Sequence, residues 1–535
     1  MVKTINELSI FGTITNWAYG YFSLLHFFLL TFTFVLMKSI LRSNFVLLFL
    51  LLFLVFFQYI INIRTFFVSD PLIKMIQVMS LWENKWSTEG IIYPAISIDP
   101  DFLLSPFNDG FIFKNNDRLI GNYPIAFTFL YSLIGFIPFT FLPYFNVLFL
   151  FLFILLLYKN NIQVKSIVII VLGSVIFPLL LDFSENGFFL VLGSYGYVFL
   201  WKAFQKEKTS DWILGNLLLG LSLWFRLEGI LFFASIHITI LFLELKNKSF
   251  QIKNLFRIER YIVFTLLLIL FLSWNQYSYS HPLGPRYLAT YSNTGKSIFT
   301  QLPIFLSMIF TYPRENGFSV GFFLISPILL FSLLYSFKNK FKEVNISFHS
   351  MVTCIFFFIV GMTSPNDGIT LTGRYFLLSL TPLAFILNEK LIELEQKKIT
   401  YYILLFWNVL ATIIVLAIFY FTSKELRKVQ ADVKKIESPL VVTTNEFISG
   451  AFGLKLIESK VVCIRNQNLV NYFFENSKTN SVREFSVLTV AKSTKYIENE
   501  HDIYQEILKV ANQFDFQCEN AEIIGKIMSN RCKLK

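Results

Sequence analysis

Long stretches of this chain carry no charge and almost no polar side chain, as in 45–57 (FVLLFLLLFLVFF). Water does not tolerate such runs on a surface, whereas a bilayer accepts one apolar helix of roughly 20 residues per crossing. Apolar runs recur near 19–37, 45–63, 124–158, 166–181, 186–201, 212–224, 230–245, 260–276, 320–337, 350–363, 374–388 and 400–421. The first is too long for a signal-peptide core, lacks a small-residue cleavage pattern and is followed by Lys38 and Arg42, so it reads as an anchor. Basic residues gather in alternate connections: Lys38/Arg42, Lys159/Lys165, Lys202/Lys206/Lys208, Lys246 through Arg260, Lys338/Lys340/Lys342 and Lys390/Lys397/Lys398. That side is expected to be cytoplasmic. The N-terminus, 64–123, 182–185, 225–229, 277–319, 364–373 and everything after 422 then face outward. About 12 crossings result, provided that the 35 residues of 124–158 cross once and part of that run lies along the outer interface or re-enters. Several runs are short for a span, as tilted or broken helices around a cavity would be.

Beyond 422 the pattern changes. Charges return, and strand-like runs at 439–443, 460–464 and 485–490 alternate with helical-period stretches at 444–455, 466–476 and 500–513. The expected fold is therefore mainly α: a polytopic transmembrane helical bundle over 1–422 with a C-terminal extracytoplasmic α/β domain over 423–535, joined by a charged neck at 424–436.

Composition sharpens this picture. With 55% hydrophobic and only 15% charged residues in 535, a cytosolic enzyme is excluded. The formal charge of +11 sits in the short loops that orient the chain, so it is assigned to topology and not to nucleic acid. Four cysteines make no metal framework: Cys354 lies in an apolar run, and Cys463, Cys518 and Cys532 lack CxxC spacing, leaving a Cys518–Cys532 disulfide open. GKS at 295–297 imitates the end of a P-loop, but Thr290 stands where the first glycine belongs, which argues against an ATP-driven pump.

The outward connections hold the candidate chemistry. The 64–123 loop carries Asp70, Glu83, Glu89, Asp99, Asp101, Asp109 and Asp117. Asp70 ends a span and precedes PLIKMIQVMSLWENKW, whose apolar residues recur at roughly helical spacing, so an interfacial amphipathic helix is expected with Asp70 at or near its N-cap. On spacing alone Asp70 reads equally well as that cap. Asp99-Pro100-Asp101 could share a divalent cation or could be a solvated turn. Asp182 and Glu185 sit between two spans with little room to reach water, and so face a polar cavity, the interface, or simply a helix end. Arg226, Arg286, Arg314 and Arg374 face outward against the prevailing charge bias. An anionic ligand such as phosphate explains them; pairing with Glu228 or Glu315, or snorkelling to headgroups, explains them too. Among the five histidines only His281 lies in an outer loop, so a His-based triad or zinc cluster is not expected.

These loop motifs, taken together over nearly the whole chain, resemble the GT-C superfamily of integral-membrane glycosyltransferases, in particular bacterial relatives of protein O-mannosyltransferases and aminoarabinose transferases. The resemblance lies in SDPLIKMIQ (69–77), NDRLIGNYPIAFTFLYSLIGF (116–136), SENGFFLVLG (184–193), LWFRLEGILFF (223–233), YSHPLGPRY (279–287), YPRENGFSVGFFLISP (312–327) and TGRYFLLSLTP (372–382). It implies transfer of a sugar from a polyprenyl-phosphate donor to a lipid, glycan or protein acceptor on the outer face of the bacterial inner membrane. Asp70 matches the catalytic acid of that family, which would act as base. Arg286 and Arg374 first, then Arg226 and Arg314, would bind the phosphate, with Glu185, Asp182 and Tyr123 in the substrate site and Asp99 and Asp101 left for a cation. No nucleotide sugar is implied. The chain departs from the family in having two spans before the acidic loop, Glu185 where Asp is commoner, and Pro71 where a second acid is common. A lipid or glycan transporter, or flippase, is the alternative from another class, and would carry ionisable residues at the bilayer midplane.

Overall fold

The computed structural model describes residues 43–63, 69–107, 110–246, 257–288, 298–314, 317–338, 344–364, 372–491 and 498–535. The anchor expected at 19–37, Asp109 and the GKS tripeptide lie outside these residues. The chain divides into two compact units, Met1–Gln58 with Tyr144–Ile418, and Tyr59–Pro143 with Phe419–Lys535.

Among the described residues seven helices are long and apolar enough to cross a membrane: Phe139–Lys159, Asn186–Lys206, Glu228–Lys246, Ile262–Tyr279, Val344–Thr363, Gly373–Gln396 and Lys398–Val433. Phe45–Ile60, Phe299–Ile309 and Pro327–Lys338 are shorter apolar helices. The long run 124–158 divides into a short helix and a longer one. Ile125–Ser132 has eight residues, about 12 Å of helix, too little to cross a bilayer, and the crossing is made by Phe139–Lys159.

The first unit contains broken helices, and its polar side chains account for the breaks. Val164–Leu172 ends at Gly173 and a new helix starts at Ile176. Likewise Phe322–Ile325 and Pro327–Lys338 are separated at Ser326, because Pro327 has no N–H to continue the ladder. Carbonyls freed in an apolar medium cost several kcal/mol each, so they need partners. Thr412 Oγ1 donates to Leu172 O at 2.5 Å, Asn408 Nδ2 donates to Gly173 O at 3.1 Å, and Ser326 Oγ donates to the same carbonyl. A side chain at 173 would meet Asn408 Nδ2 at 2.5 Å, so this close approach requires glycine. Asn146 Nδ2 serves Leu180 O at 3.0 Å and Asp182 O at 2.6 Å in the same way, at the end of the second half-helix.

The second unit combines the acid-rich loop expected to face outward with the C-terminal residues. Pro71 and the acid Asp70 start the Asp70–Glu83 helix, where a missing N–H is harmless and a negative charge favourable. The expected helix forms with Asp70 as its first residue, but it is not amphipathic. Ten of its fourteen residues are buried, Lys74 and Gln77 included, because the Arg118–Gly121 strand, the Ile125–Ser132 helix and the turn Gly453–Ile457 pack around it. The C-terminal sheet runs Val461–Cys463, Val441–Thr443, Glu484–Val490, Ile527–Leu534, Phe516–Cys518, with Glu522–Ile524 also on Ile527–Leu534. The first three strands are parallel and match the strand-like runs read from the sequence. The remaining three are antiparallel. Cys518 and Cys532 face each other across two of these and form the disulfide. Residues 424–433 of the expected neck continue the Lys398–Val433 helix.

Candidate functional site

Five charged side chains gather in the first unit at or near helix ends. Glu185 stands at the N-cap of Asn186–Lys206, Glu228 opens Glu228–Lys246, and Arg226 lies in the turn before it. Arg226 Nη2 meets Glu228 Oε1 at 2.6 Å and its Nε lies 3.3 Å from both oxygens of that carboxylate, a forked pair in which both side chains are almost fully buried. Its Nη1 reaches Asn186 Oδ1 at 2.9 Å and Glu185 Oε1 at 3.6 Å. Arg286 Nη1 then takes the same Glu185 oxygen at 2.8 Å. The Tyr375 ring carries two guanidinium groups, Arg226 at 5.4 Å and Arg374 at 5.3 Å from its centroid. Among the described residues the group thus joins three arginines and two glutamates. The exposure differs in a telling way: the Arg226 side chain is 1% exposed and Arg286 13%, and Arg374 is half-buried.

Arg286 owes its position to a turn. The Ile262–Tyr279 helix ends at Ser280, and Gly284 at φ +75° reverses the chain before the arginine. A side chain at 284 would meet Asn275 Oδ1 at 2.5 Å, so glycine is required twice over, by conformation and by space. His281, beside it, accepts a hydrogen bond from Leu283 N and stacks on Tyr287. Asp182 Oδ1 accepts from Phe183 N at 2.8 Å, closing the turn before Glu185. Arg314 ends the Thr311–Arg314 strand opposite Gly317, and its side chain lies outside the described residues.

Asp70, in the second unit, is the first residue of its helix, with Ser69 Oγ at 3.5 Å from its Oδ1. One and two turns on, Lys74 and Gln77 share its face by i, i+4, i+7 spacing. Lys74 is 4% exposed, and its ammonium lies 4.7 Å over the Tyr123 ring. Gln77 Nε2 donates to Gly121 O at 3.4 Å. The sequence reading picked out Asp70 and Tyr123 but missed Lys74 between them. The signal was available in the spacing, but a lysine on an expected surface helix carries no message; it gains one by being buried.

Asp99 and Asp101 are not arranged as an open cation pair. Asp99 is buried, and its Oδ2 accepts from Tyr93 OH and Leu104 N, both at 2.9 Å. Asp101 is exposed, and the two carboxylates share Tyr472 OH, at 3.5 Å from Asp99 Oδ1 and 3.2 Å from Asp101 Oδ2. Asp99 Oδ2 thus already accepts two hydrogen bonds, and the Tyr472 hydroxyl engages one oxygen of each carboxylate. Burial pushes the Asp99 carboxyl up from the usual carboxylate range, against the pull of these hydrogen bonds. Tyr472 is pushed up to about 12, by burial first and by the neighbouring acids next. Among the described residues no cluster of three or more His, Cys, Asp or Glu is placed to hold a metal ion.

No protein-family profile and no curated protein matches the sequence. Solved structures do resemble it. ArnT from Cupriavidus metallidurans, bound to undecaprenyl phosphate, is 8% identical and superposes with a TM-score of 0.53, over 90% of this chain and 97% of that one. The Archaeoglobus fulgidus oligosaccharyltransferase in the apo form is 12% identical over 84% and 70% of the two chains, with a TM-score of 0.49. The same organism's AglB, in complex with an inhibitory peptide and a dolichol-phosphate, is 12% identical over 82% and 69%, at 0.46. At these identities the likeness to ArnT is one of fold. A helical membrane bundle with a C-terminal α/β domain is thus a fold that this chain shares with ArnT, and it agrees with the architecture expected from the sequence.

Proposed function

We propose that the protein transfers a glycosyl unit from a polyprenyl-phosphate donor to an acceptor hydroxyl on the outer face of a bacterial cytoplasmic membrane. The observation that carries this reading is the arginine–glutamate group, in which buried Arg226 holds Glu185 and Glu185 holds the more accessible Arg286, in a chain with the fold of a protein solved with undecaprenyl phosphate. Arg286 and Arg374, the more accessible of the three arginines in this group, bind the donor phosphate. Arg226, held by Glu228, Glu185 and Asn186, fixes Glu185 and through it Arg286.

In the reaction, Asp70 takes the proton of the acceptor hydroxyl as its oxygen bonds to the anomeric carbon. The bond from that carbon to the phosphate oxygen breaks, and its electron pair leaves on the lipid phosphate, whose added charge the preorganised guanidinium groups stabilise. No nucleotide is consumed, in keeping with the incomplete P-loop pattern. The Cys518–Cys532 disulfide supports an extracytoplasmic C-terminal domain, because such bonds persist in oxidising compartments. A cation-coupled transporter would need the carbonyls freed at its broken helices for the ion. Those of Leu172 and Gly173 are instead taken by Thr412, Asn408 and Ser326.

The test is to incubate purified protein with a panel of polyprenyl-phosphate sugars and follow release of the lipid phosphate. Asp70→Asn is expected to reduce transfer by about 100-fold or more while the protein stays folded. Undiminished transfer by that variant would remove Asp70 from the mechanism.

A further inference from the structure

The C-terminal domain is bound to the acidic loop at the edge of its sheet. Val461–Cys463 is an edge strand, and Cys463 N donates to Leu104 O at 2.8 Å, so the loop covers the edge. Arg465, two residues on, donates to Ser105 O and is itself held by Glu446 Oε1 at 2.9 Å. From the next helix, Asn468–Thr479, Tyr472 reaches Asp99 and Asp101. Asp99 in turn closes the loop through Tyr93 and Leu104.

The chain of contacts continues to Asp70. Phe107, 4% exposed, ends the bound segment. A Cβ on Gly450 of the C-terminal domain would lie 3.7 Å from Phe107 Cε1 and 3.9 Å from Leu72 Cδ2, so both side chains rest against that glycine. Leu72 is fully buried and two residues from Asp70. The Gly453–Ile457 turn also packs on the Asp70–Glu83 helix. These contacts are thus part of what places the helix, beside the Arg118–Gly121 strand and the Ile125–Ser132 helix.

We propose that the C-terminal domain is the clamp that sets the Asp70 helix, with Arg465 and Tyr472 as positioning residues acting through 99–107. The proposal rests on Asp70 being the base. Misplacing a reacting group by about 1 Å costs on the order of 100-fold in rate, which gives such a clamp a catalytic consequence.

The experiment uses the full-length protein. Hydrogen exchange is followed in peptides covering 70–83, 99–107 and 484–490, and kcat and KM are measured with the sugar donor that the panel identifies. Arg465→Ala is expected to speed exchange at 99–107 and 70–83 by about tenfold or more and to leave 484–490 unchanged. It should lower kcat by about tenfold with acceptor KM held within about twofold. Tyr472→Phe should act in the same direction, and Arg465→Lys, which can still reach Ser105 O, should recover part of the loss. Unchanged exchange at 70–83 would overturn the proposal. So would a raised acceptor KM at constant kcat, which marks the domain as an acceptor site. If Asp70→Asn keeps full transfer while Arg465→Ala still loosens 70–83, the clamp stands and the base assignment falls.

Discussion

Arg226 and Glu228 show how much a residue's neighbours alter its meaning. Two apart in sequence around Leu227, they were legible as a pair, but the pull of Glu185 and Asn186, 40 residues earlier, was not. Nothing local encodes a contact that depends on two helix ends meeting. Burying an ion pair and then deleting one partner leaves an uncompensated charge, at about 3–5 kcal/mol. Glu228→Gln should therefore lower the melting temperature sharply, and the double replacement Arg226→Met with Glu228→Met should lower it less. Equal losses from both would show that the charges do not depend on each other. Asp99 makes a second prediction. Its folded pKa lies above the unfolded value because of burial, so the folded state binds the extra proton. Stability from this group is full at acid pH, below the unfolded value of about 4, and is lost as pH rises through the folded pKa. Facing Asp99 are Tyr93, Tyr472 and Asp101, with Arg465 and Cys463 bearing on Tyr93. Exchange protection of 99–107 should fall with rising pH in the wild type, after correction for intrinsic exchange, and stay flatter in Asp99→Asn.

At the scale of elements, the apolar runs and the three parallel strands were readable because their signals are local. The breaks at 173–175 and 326 were less so. Hydropathy cannot distinguish a span from two half-helices, since the half-helices are equally apolar and the polar residues that repair the gap come from elsewhere: Thr412 and Asn408 lie more than two hundred residues away. The three last strands were missed because 516–534 breaks its alternation with charges, and their pairing with Glu484–Val490 is non-local. The Gly284 turn offers a test at this scale. An alanine there meets Asn275 and takes up a left-handed conformation that L residues resist by roughly 1–2 kcal/mol. The chain should yield by moving the Arg286 backbone. Gly284→Ala is expected to weaken binding of the proposed polyprenyl-phosphate donor by about tenfold, close to the effect of Arg286→Ala. Wild-type binding in Gly284→Ala would mean that the turn does not set the arginine.

For the whole molecule, the sequence separates a membrane part from a terminal domain at about 422, and the described structure adds that the first outer loop shares a unit with that domain. The loop's acids looked like ligands because sequence shows charge without burial. Three of them prove to be internal partners: Asp99 and Asp101 of Tyr472, and Glu89 of Arg118 at 3.3 Å. The alternation of basic connections predicts sidedness, and the disulfide offers a test of it that does not use charge. If everything after 422 faces outward, Cys518 and Cys532 are oxidised in intact cells, and after gentle reduction an impermeant maleimide should label half-buried Cys518 without permeabilisation. Cys354 in its span and fully buried Cys463 should stay silent in the folded protein. A cysteine introduced at Lys397, in a connection assigned to the cytoplasm, should react only once the membrane is opened. Labelling of Cys518 solely after permeabilisation would reverse the topology and put the terminal domain, with the Asp70 helix in the same unit, on the side where nucleotide sugars are available. The case for a lipid-linked donor would then fail with it.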